Sequence, residues 1–348
     1  MESIYLNTSN HSQRAQIIDA NLDRAKEGLR VIEDWCRFHL NNDEIIITLK
    51  DWRQRLGSLH LREYKFARDT SSDKGLGLTH PEQIRRKRSE EIVSANCARV
   101  QEALRVLEEF SRESDPLLAK TSQEIRYGLY ELEIKILRSS IYLKRLNILN
   151  SCNLYLITSP HKQLKLIVKN ALEEGVKMVQ YRNKDIHDLQ KLEEANELSH
   201  ICKDFNALFI INDRIDIAIA VNADGVHLGQ DDMPTSLARE IIGEDAIIGK
   251  STHSFDQIRV ASNECCDYLG IGPIYATGTK PNIQSLGVNY LKEVGSLTTL
   301  PWFAIGGINA SNLNEIKSTK AKRIAVVGAI MDSTDSREST SQLIKKLK

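Results

Sequence analysis

The sequence has little that would tie it to a membrane, an oxidising compartment or a polyanion. No uncharged apolar run approaches the roughly 18 residues that span a bilayer. The opening MESIYLNTSNHSQ has neither the basic start nor the apolar stretch of a secretory leader. The six cysteines (Cys36, Cys97, Cys152, Cys202, Cys265, Cys266) form no CxxC pair, and the neighbours Cys265 and Cys266 are badly placed to bridge each other. Reduced thiols are therefore expected. An excess of one charge sign is missing as well: 47 Lys and Arg stand against 47 Asp and Glu, so no bulk field favours nucleic acid or a membrane surface. A soluble, cytoplasmic chain with small-molecule partners is expected, with no nucleic-acid or membrane partner and with a homo-oligomer left open.

What is present is enough for two cores. A chain of 348 residues exceeds what one core usually organises, and a hydrophobic fraction of 41% can fill both. The N-terminal part contains an internal repeat: ANLDRAKEGLRVIEDW at Ala20–Trp35 recurs as ANCARVQEALRVLEEF at Ala95–Phe110. Ile18, Leu22, Ala25, Leu29 and Ile32 follow helical spacing, and Val93, Cys97, Val100, Leu104 and Leu107 repeat it in register. A second stripe, Asn21, Arg24, Gly28, Val31 and Trp35, places a small residue where another helix can approach, which predicts a pseudo-symmetric bundle, all-α to about Tyr142. Arg24, Glu27, Arg30 and Glu33, with their copies Arg99, Glu102, Arg105 and Glu108, admit a symmetric polar site, but ion pairing at i,i+3 explains them without a ligand and is the favoured reading. Between the copies, the turn formers from Arg68 to Gly77 and the basic cluster from Glu82 to Arg88 suggest an exposed loop.

Near residues 140–152 the period changes. Short apolar runs then alternate with helical stretches, the pattern of βαβ units and a parallel sheet. Eight strands are predicted: Asn153–Ile157, Lys177–Tyr181, Leu208–Asn212, Gly225–Leu228, Ile247–Ser251, Tyr268–Gly272, Trp302–Ile305 and Arg323–Val327. A doubly wound sheet would place a Gly-rich fingerprint after the first strand, where Thr158-Ser159-Pro160-His161 stands instead. The expected fold class is α/β, a (β/α)₈ TIM barrel over residues 146–348, preceded by an all-α domain over residues 1–145.

Catalytic groups of such barrels come from the C-terminal ends of the strands, so each strand end is a candidate. The second leads into Gln180-Tyr181-Arg182-Asn183-Lys184, two cations and an amide that suit a diphosphorylated heterocycle if they are not simply a solvated strand end. The third ends in Asn212-Asp213 and the fourth leads to Asp232. Carboxylates from adjacent loops suit one Mg²⁺, and helix N-capping is the competing role. The fifth delivers Ser251, then His253, expected to be structural. The sixth leads into Thr277-Gly278-Thr279-Lys280, a loop able to wrap a phosphate. The seventh and eighth end in Gly306-Gly307 and Val327-Gly328, where barrels commonly bind phosphate.

VQYRNK at Val179–Lys184, IND at Ile211–Asp213, DGVHLGQDD at Asp224–Asp232, GKSTH, GPIYATGTK and AIGGI at Ala304–Ile308 together resemble the thiamine-phosphate synthase family over residues 151–348. The helical half resembles the extra domain preceding the barrel in some bacterial members, cyanobacterial ones included. The resemblance implies an enzyme, a transferase of thiamine biosynthesis, that condenses a pyrimidine diphosphate with a thiazole phosphate and releases pyrophosphate. It assigns Gln180 to Lys184, Asn212, Ser251 and Lys280 to the pyrimidine diphosphate. Arg182, Lys184, Ser251 and Lys280 are the catalytic candidates, Asp213 and Asp232 hold Mg²⁺, and Thr277, Gly278, Thr279, Gly307, Val327 and Gly328 bind the thiazole phosphate. The sequence departs from the family pattern at Ala276, Gly278 and Gly328, the last standing where a serine is expected. A thiazole tautomerase needs no metal-bound diphosphate, which Asn212, Asp213, Asp232 and Lys280 argue against. A non-catalytic sensor of thiamine phosphates is the other alternative.

Overall fold

The computed structural model describes residues 2–69, 89–278 and 284–348, with side chains described from Ser12 onward. Two compact units divide the chain, Met1–Ser140 and Ile141–Lys348. Of the loop expected from Arg68 to Gly77 only Arg68 and Asp69 are described, and the basic cluster from Glu82 to Arg88 lies outside the described residues, as do Thr279 and Lys280.

The first unit is all helical: α1 (Glu2–Trp35), a π-helical turn (Cys36–Leu40), α2 (Asp43–Ser58), α3 (Arg62–Phe66), α4 (Ser89–Ser111) and most of α5 (Pro116–Ser151). The two repeats are α1 and α4, packed on each other. Both apolar stripes are buried. Gly28 is the point of closest approach, since a Cβ there would lie 2.4 Å from Val100 Cγ2. The repeat extends to polar detail: Asn21 Nδ2 donates to the Ile17 carbonyl at 2.8 Å, and Asn96 Nδ2 donates to Ile92 at 2.7 Å.

The polar stripe behaves mostly as ion pairing. Arg24, Glu27, Arg99 and Glu102 are exposed, while Glu33 and Glu108 are buried. Arg105 and Glu108 pair at 3.1 Å within one helix. Across helices, Glu33 meets Arg53 of α2 at 2.9 Å and Glu108 meets Arg126 of α5 at 2.9 Å, so the repeat extends to the partner helices.

The second unit is a closed barrel of eight parallel strands in sequence order. They are β1 (Leu154–Ile157), β2 (Met178–Tyr181), β3 (Leu208–Asn212), β4 (Gly225–Leu228), β5 (Ile247–Thr252), β6 (Tyr268–Ile271), β7 (Trp302–Ile305) and β8 (Ile324–Val326). Helices follow them in order: α6 (Leu164–Glu173), α7 (Asp188–Asp204), α8 (Ile215–Ala220), α9 (Thr235–Ile242), α10 (Phe255–Ala261), α11 (Leu291–Leu297), α12 (Leu313–Ser318), α13 (Gly328–Met331) and α14 (Ser336–Leu347). All eight expected strands are present, with ends moved by one residue at most.

Strand alternation divides the core into two layers. Leu154, Leu156, Val179, Tyr181, Phe209 and Ile211 face the surrounding helices. Tyr155, Ile157, Met178, Leu208, Ile210, Ile247, Tyr268 and Phe303 fill the interior.

The helical pattern, expected from the repeat to run to about Tyr142, goes further. Helix α5 continues to Ser151, because its last turns have a second apolar surface to cover. Tyr142, Leu146 and Leu149 pack on the interior layer from the N-terminal side of the barrel. Arg145 fastens them: Nε donates to Asp224 Oδ1 at 2.9 Å and Nη1 to Asp245 Oδ2 at 2.8 Å.

Candidate active site

A cavity of about 700 Å³ opens at the C-terminal ends of the strands. Its lining joins inward positions of β2 to β5 with the loops after β6, β7 and β8: Gln180, Arg182, Asn212, His227, Ser251, Thr277, Gly278, Gly307, Val327 and Gly328 among them. The strand-end rule thus brings nine expected site residues to one space.

Local geometry explains the placements. Gln180 shares the inward phase of Met178. Its backbone carbonyl accepts from Thr158 N at 2.8 Å, and the Thr158 hydroxyl in turn accepts from Arg182 N at 3.0 Å. Strand β2 ends at Tyr181, so Arg182 reaches the cavity from a loop anchored by Thr158 and not from the strand itself. Gly307 adopts the left-handed region (φ 65°), and a Cβ there would come within 2.8 Å of Ala276 O, so the turn after β7 needs glycine to pass beneath the β6 loop.

Three expected contacts, Tyr181, Asn183 and Lys184, lie elsewhere. Tyr181 has the outward phase, and its hydroxyl donates to Glu194 Oε2 of α7 at 2.8 Å, while Asn183 Nδ2 donates to the same oxygen at 3.3 Å. Both line a smaller cavity of about 200 Å³ with Lys184, Asn212 and Asp213. Tyr181 and Asn183 therefore buttress the β2 loop against α7 and do not reach the main cavity.

Asp213 lines the smaller cavity, not the main one, and Asp232 faces Asp213. Neither caps a helix, since α8 and α9 have Arg214 and Pro234 at their N-caps. Asp213 sits at φ 62°, a costly region for a non-glycine residue and one often retained at functional positions. Lys184 Nζ lies 2.8 Å from Asp213 Oδ2. Asp232 accepts from Gly229 N at 2.6 Å. Burial, reinforced by the facing Asp213 carboxyl, pushes Asp232 above the usual carboxylate range. Two oxygen-donor carboxyls in mutual repulsion fit a hard divalent cation, with waters or phosphate oxygens completing the shell. Among the described residues no group of three or more His, Cys, Asp or Glu side chains is arranged to hold a metal, so a cation here draws ligands from beyond the side chains.

Several residues that the sequence reading did not assign to the site belong to it or support it. His253, expected to be structural, lines the cavity with Nδ1 against the Gly272 carbonyl. Buried Lys250 donates from Nζ to Gly229 O at 2.9 Å and steadies the loop bearing Asp232. Tyr155, Tyr268 and His227 link Gln180 to Ser251 beneath the cavity. Gly249 makes room for them, because a Cβ there would stand 2.1 Å from Tyr268 Cζ. The available signal was the inward phase of these positions on their strands.

A closed parallel barrel with a polar cavity at its C-terminal face defines an enzyme of the (β/α)₈-barrel class. Residues 154–330 match the model of the family described as thiamine monophosphate synthase, and residues 16–135 match that of the ThiD2 family. A thiamine-phosphate synthase from Prochlorococcus marinus (strain MIT 9313) is 55% identical over 96% of this chain and 96% of its own length. Another, from Synechococcus sp. (strain WH7803), is 47% identical over the whole of both chains. The solved thiamine phosphate pyrophosphorylase from Pyrococcus furiosus is 36% identical, with a TM-score of 0.53 over 58% of this chain and 98% of its own. This chain belongs to the thiamine-phosphate synthase family, as a member carrying the helical unit ahead of the barrel. No helix among the described residues is long and apolar enough to cross a membrane.

Proposed function

We propose that the barrel joins 4-amino-2-methyl-5-(diphosphomethyl)pyrimidine to 4-methyl-5-(2-phosphoethyl)thiazole, or its 2-carboxy form, yielding thiamine phosphate and pyrophosphate. The observation that carries this reading is the convergence of Gln180, Arg182, Asn212 and Ser251 with the glycine-rich ends of β7 and β8 on one cavity of about 700 Å³. That volume suits two small ligands held side by side.

Gln180, Asn212 and Ser251 orient the pyrimidine. Its exocyclic amine feeds electron density toward the methylene carbon as the C–O bond breaks and pyrophosphate leaves with the bonding pair. The thiazole nitrogen then supplies the pair for the new C–N bond. Arg182, Lys184 and Lys280 offset the leaving group's charge, the last from outside the described residues. Asp213 and Asp232 would hold Mg²⁺, which neutralises diphosphate oxygens when bound. Thr277, Gly278, Thr279, Gly307, Val327 and Gly328 take the thiazole phosphate, largely through backbone N–H groups. No protein nucleophile is needed, because holding the ring nitrogen beside the electrophilic carbon supplies the advantage of proximity.

The test is pyrophosphate release by the purified full chain with both substrates and Mg²⁺, against controls with each substrate alone. Release with both and with neither alone supports condensation. Binding of thiamine phosphate with no release would support a sensor instead.

A further inference from the structure

A continuous run of hydrogen bonds crosses the barrel interior below the cavity. Gln180 Nε2 lies 2.7 Å from Tyr155 Oη, which lies 2.9 Å from Tyr268 Oη. Tyr268 Oη is 3.0 Å from His227 Nδ1, and His227 Nε2 is 2.9 Å from Ser251 Oγ. Gln180, His227 and Ser251 line the cavity, whereas Tyr155 and Tyr268 are fully enclosed. Five strands contribute one residue each, and inward Gly249 keeps the space open.

The chain has a direction. An amide nitrogen only donates, so Gln180 gives its proton to Tyr155. Burial holds both phenols above their ordinary range, so each keeps one proton and donates once. Tyr155 therefore donates to Tyr268, and Tyr268 donates to His227 Nδ1. That nitrogen then carries no proton. The ring proton therefore sits on Nε2, which donates it to Ser251 Oγ. The Ser251 proton is left to point away from the chain.

We propose that Tyr155, Tyr268 and His227 form a polarity relay that sets Ser251 as a donor and the Gln180 carbonyl as the acceptor at the cavity. The proposal rests on the aminopyrimidine reading for its ligand. An aminopyrimidine offers the complementary pair, an exocyclic N–H for Gln180 Oε1 and a ring nitrogen for the Ser251 hydroxyl. Reversing any link reverses both ends, so a ligand with the opposite pattern meets acceptor against acceptor at Gln180 and donor against donor at Ser251. Tyr155 and Tyr268 are positioning residues, acting through Gln180 at one end and through His227 and Ser251 at the other.

The relay is tested in the ligand-free full chain by ¹⁵N NMR of its nine histidines, with His227 assigned by its loss in His227→Gln. Three results are expected together. Wild-type His227 is neutral with the proton on Nε2. Tyr268→Phe converts it to a mixture of tautomers. In the same variant KM for the pyrimidine diphosphate rises about tenfold while KM for the thiazole phosphate stays within about twofold. Failure of any one overturns the relay, an equal rise in both KM values included, since a merely structural tyrosine would disturb both substrates. Tyr155→Phe provides the same readout if Tyr268→Phe does not fold. A wild-type chain that releases no pyrophosphate defeats the proposed function alone, because the tautomer is read without substrate.

Discussion

Asp213 after β3 and Asp232 after β4 hold their carboxyls against each other, with Lys184 Nζ 2.8 Å from Asp213. Lys184 offsets part of their repulsion, and a divalent cation held between them would offset more. Asp213→Ala should lower turnover about 100-fold or more with the fold intact by circular dichroism, the scale expected when charge stabilisation of a leaving group is lost. A chelator should stop the wild-type reaction reversibly, with Mg²⁺ restoring it. Near-normal turnover of purified Asp213→Ala at limiting Mg²⁺ would refute the metal role.

Arg145 closes the opposite end of the barrel, far from the chemistry. Arg145→Ala leaves Asp224 and Asp245 without their cation, and half-buried carboxylates left alone cost about 2–4 kcal/mol. Urea unfolding should show that loss while KM for both substrates stays unchanged. A changed KM with unchanged stability contradicts the assigned role.

Gly28 is where the two repeats touch. Gly28→Ala places a methyl 2.4 Å from Val100 Cγ2, and overpacking of this kind costs about 1–3 kcal/mol. Adding Val100→Ala should restore part of the loss, as measured by the thermal transition of the helical unit in the full chain. Strict additivity of the two losses would show that they do not share one contact.

Asp19 gives the helical unit an acid sensitivity. Burial alone would raise its pKa, but hydrogen bonds from Arg68 and His60 outweigh that and hold the carboxyl below the usual range. A folded pKa below the unfolded one stabilises above the ordinary value of 3.8, and that stability is lost as pH falls through the depressed folded value. The stability difference between wild type and Asp19→Asn should therefore be full near about pH 6 and shrink toward about pH 2.5. A difference independent of pH would place the contribution in packing and not in charge.

Local sequence determined much of this molecule, because periodicity reports which face of an element is covered. The 3.6-residue stripes from Ile18 to Ile32 and from Val93 to Leu107 identified two copies of one helix. The alternation of short apolar runs with helices identified the barrel strands to within a residue. It also placed polar groups at strand ends, where the barrel gathers Gln180, Arg182, Asn212 and Ser251 into one cavity.

Tertiary structure decided what depends on phase and distance across the barrel. Adjacent residues of one motif part company, Gln180 inward and Tyr181 outward onto Glu194, because strand side chains alternate. Helix α5 outlasts its apparent boundary because Leu146 and Leu149 have a barrel end to cover. The chain from Gln180 to Ser251 joins residues from five strands, 25 to 113 positions apart at successive links on β1, β2 and β6, and no local pattern encodes it. Only closure of the barrel brings two phenols, an imidazole and the vacated side-chain position of Gly249 to the same point.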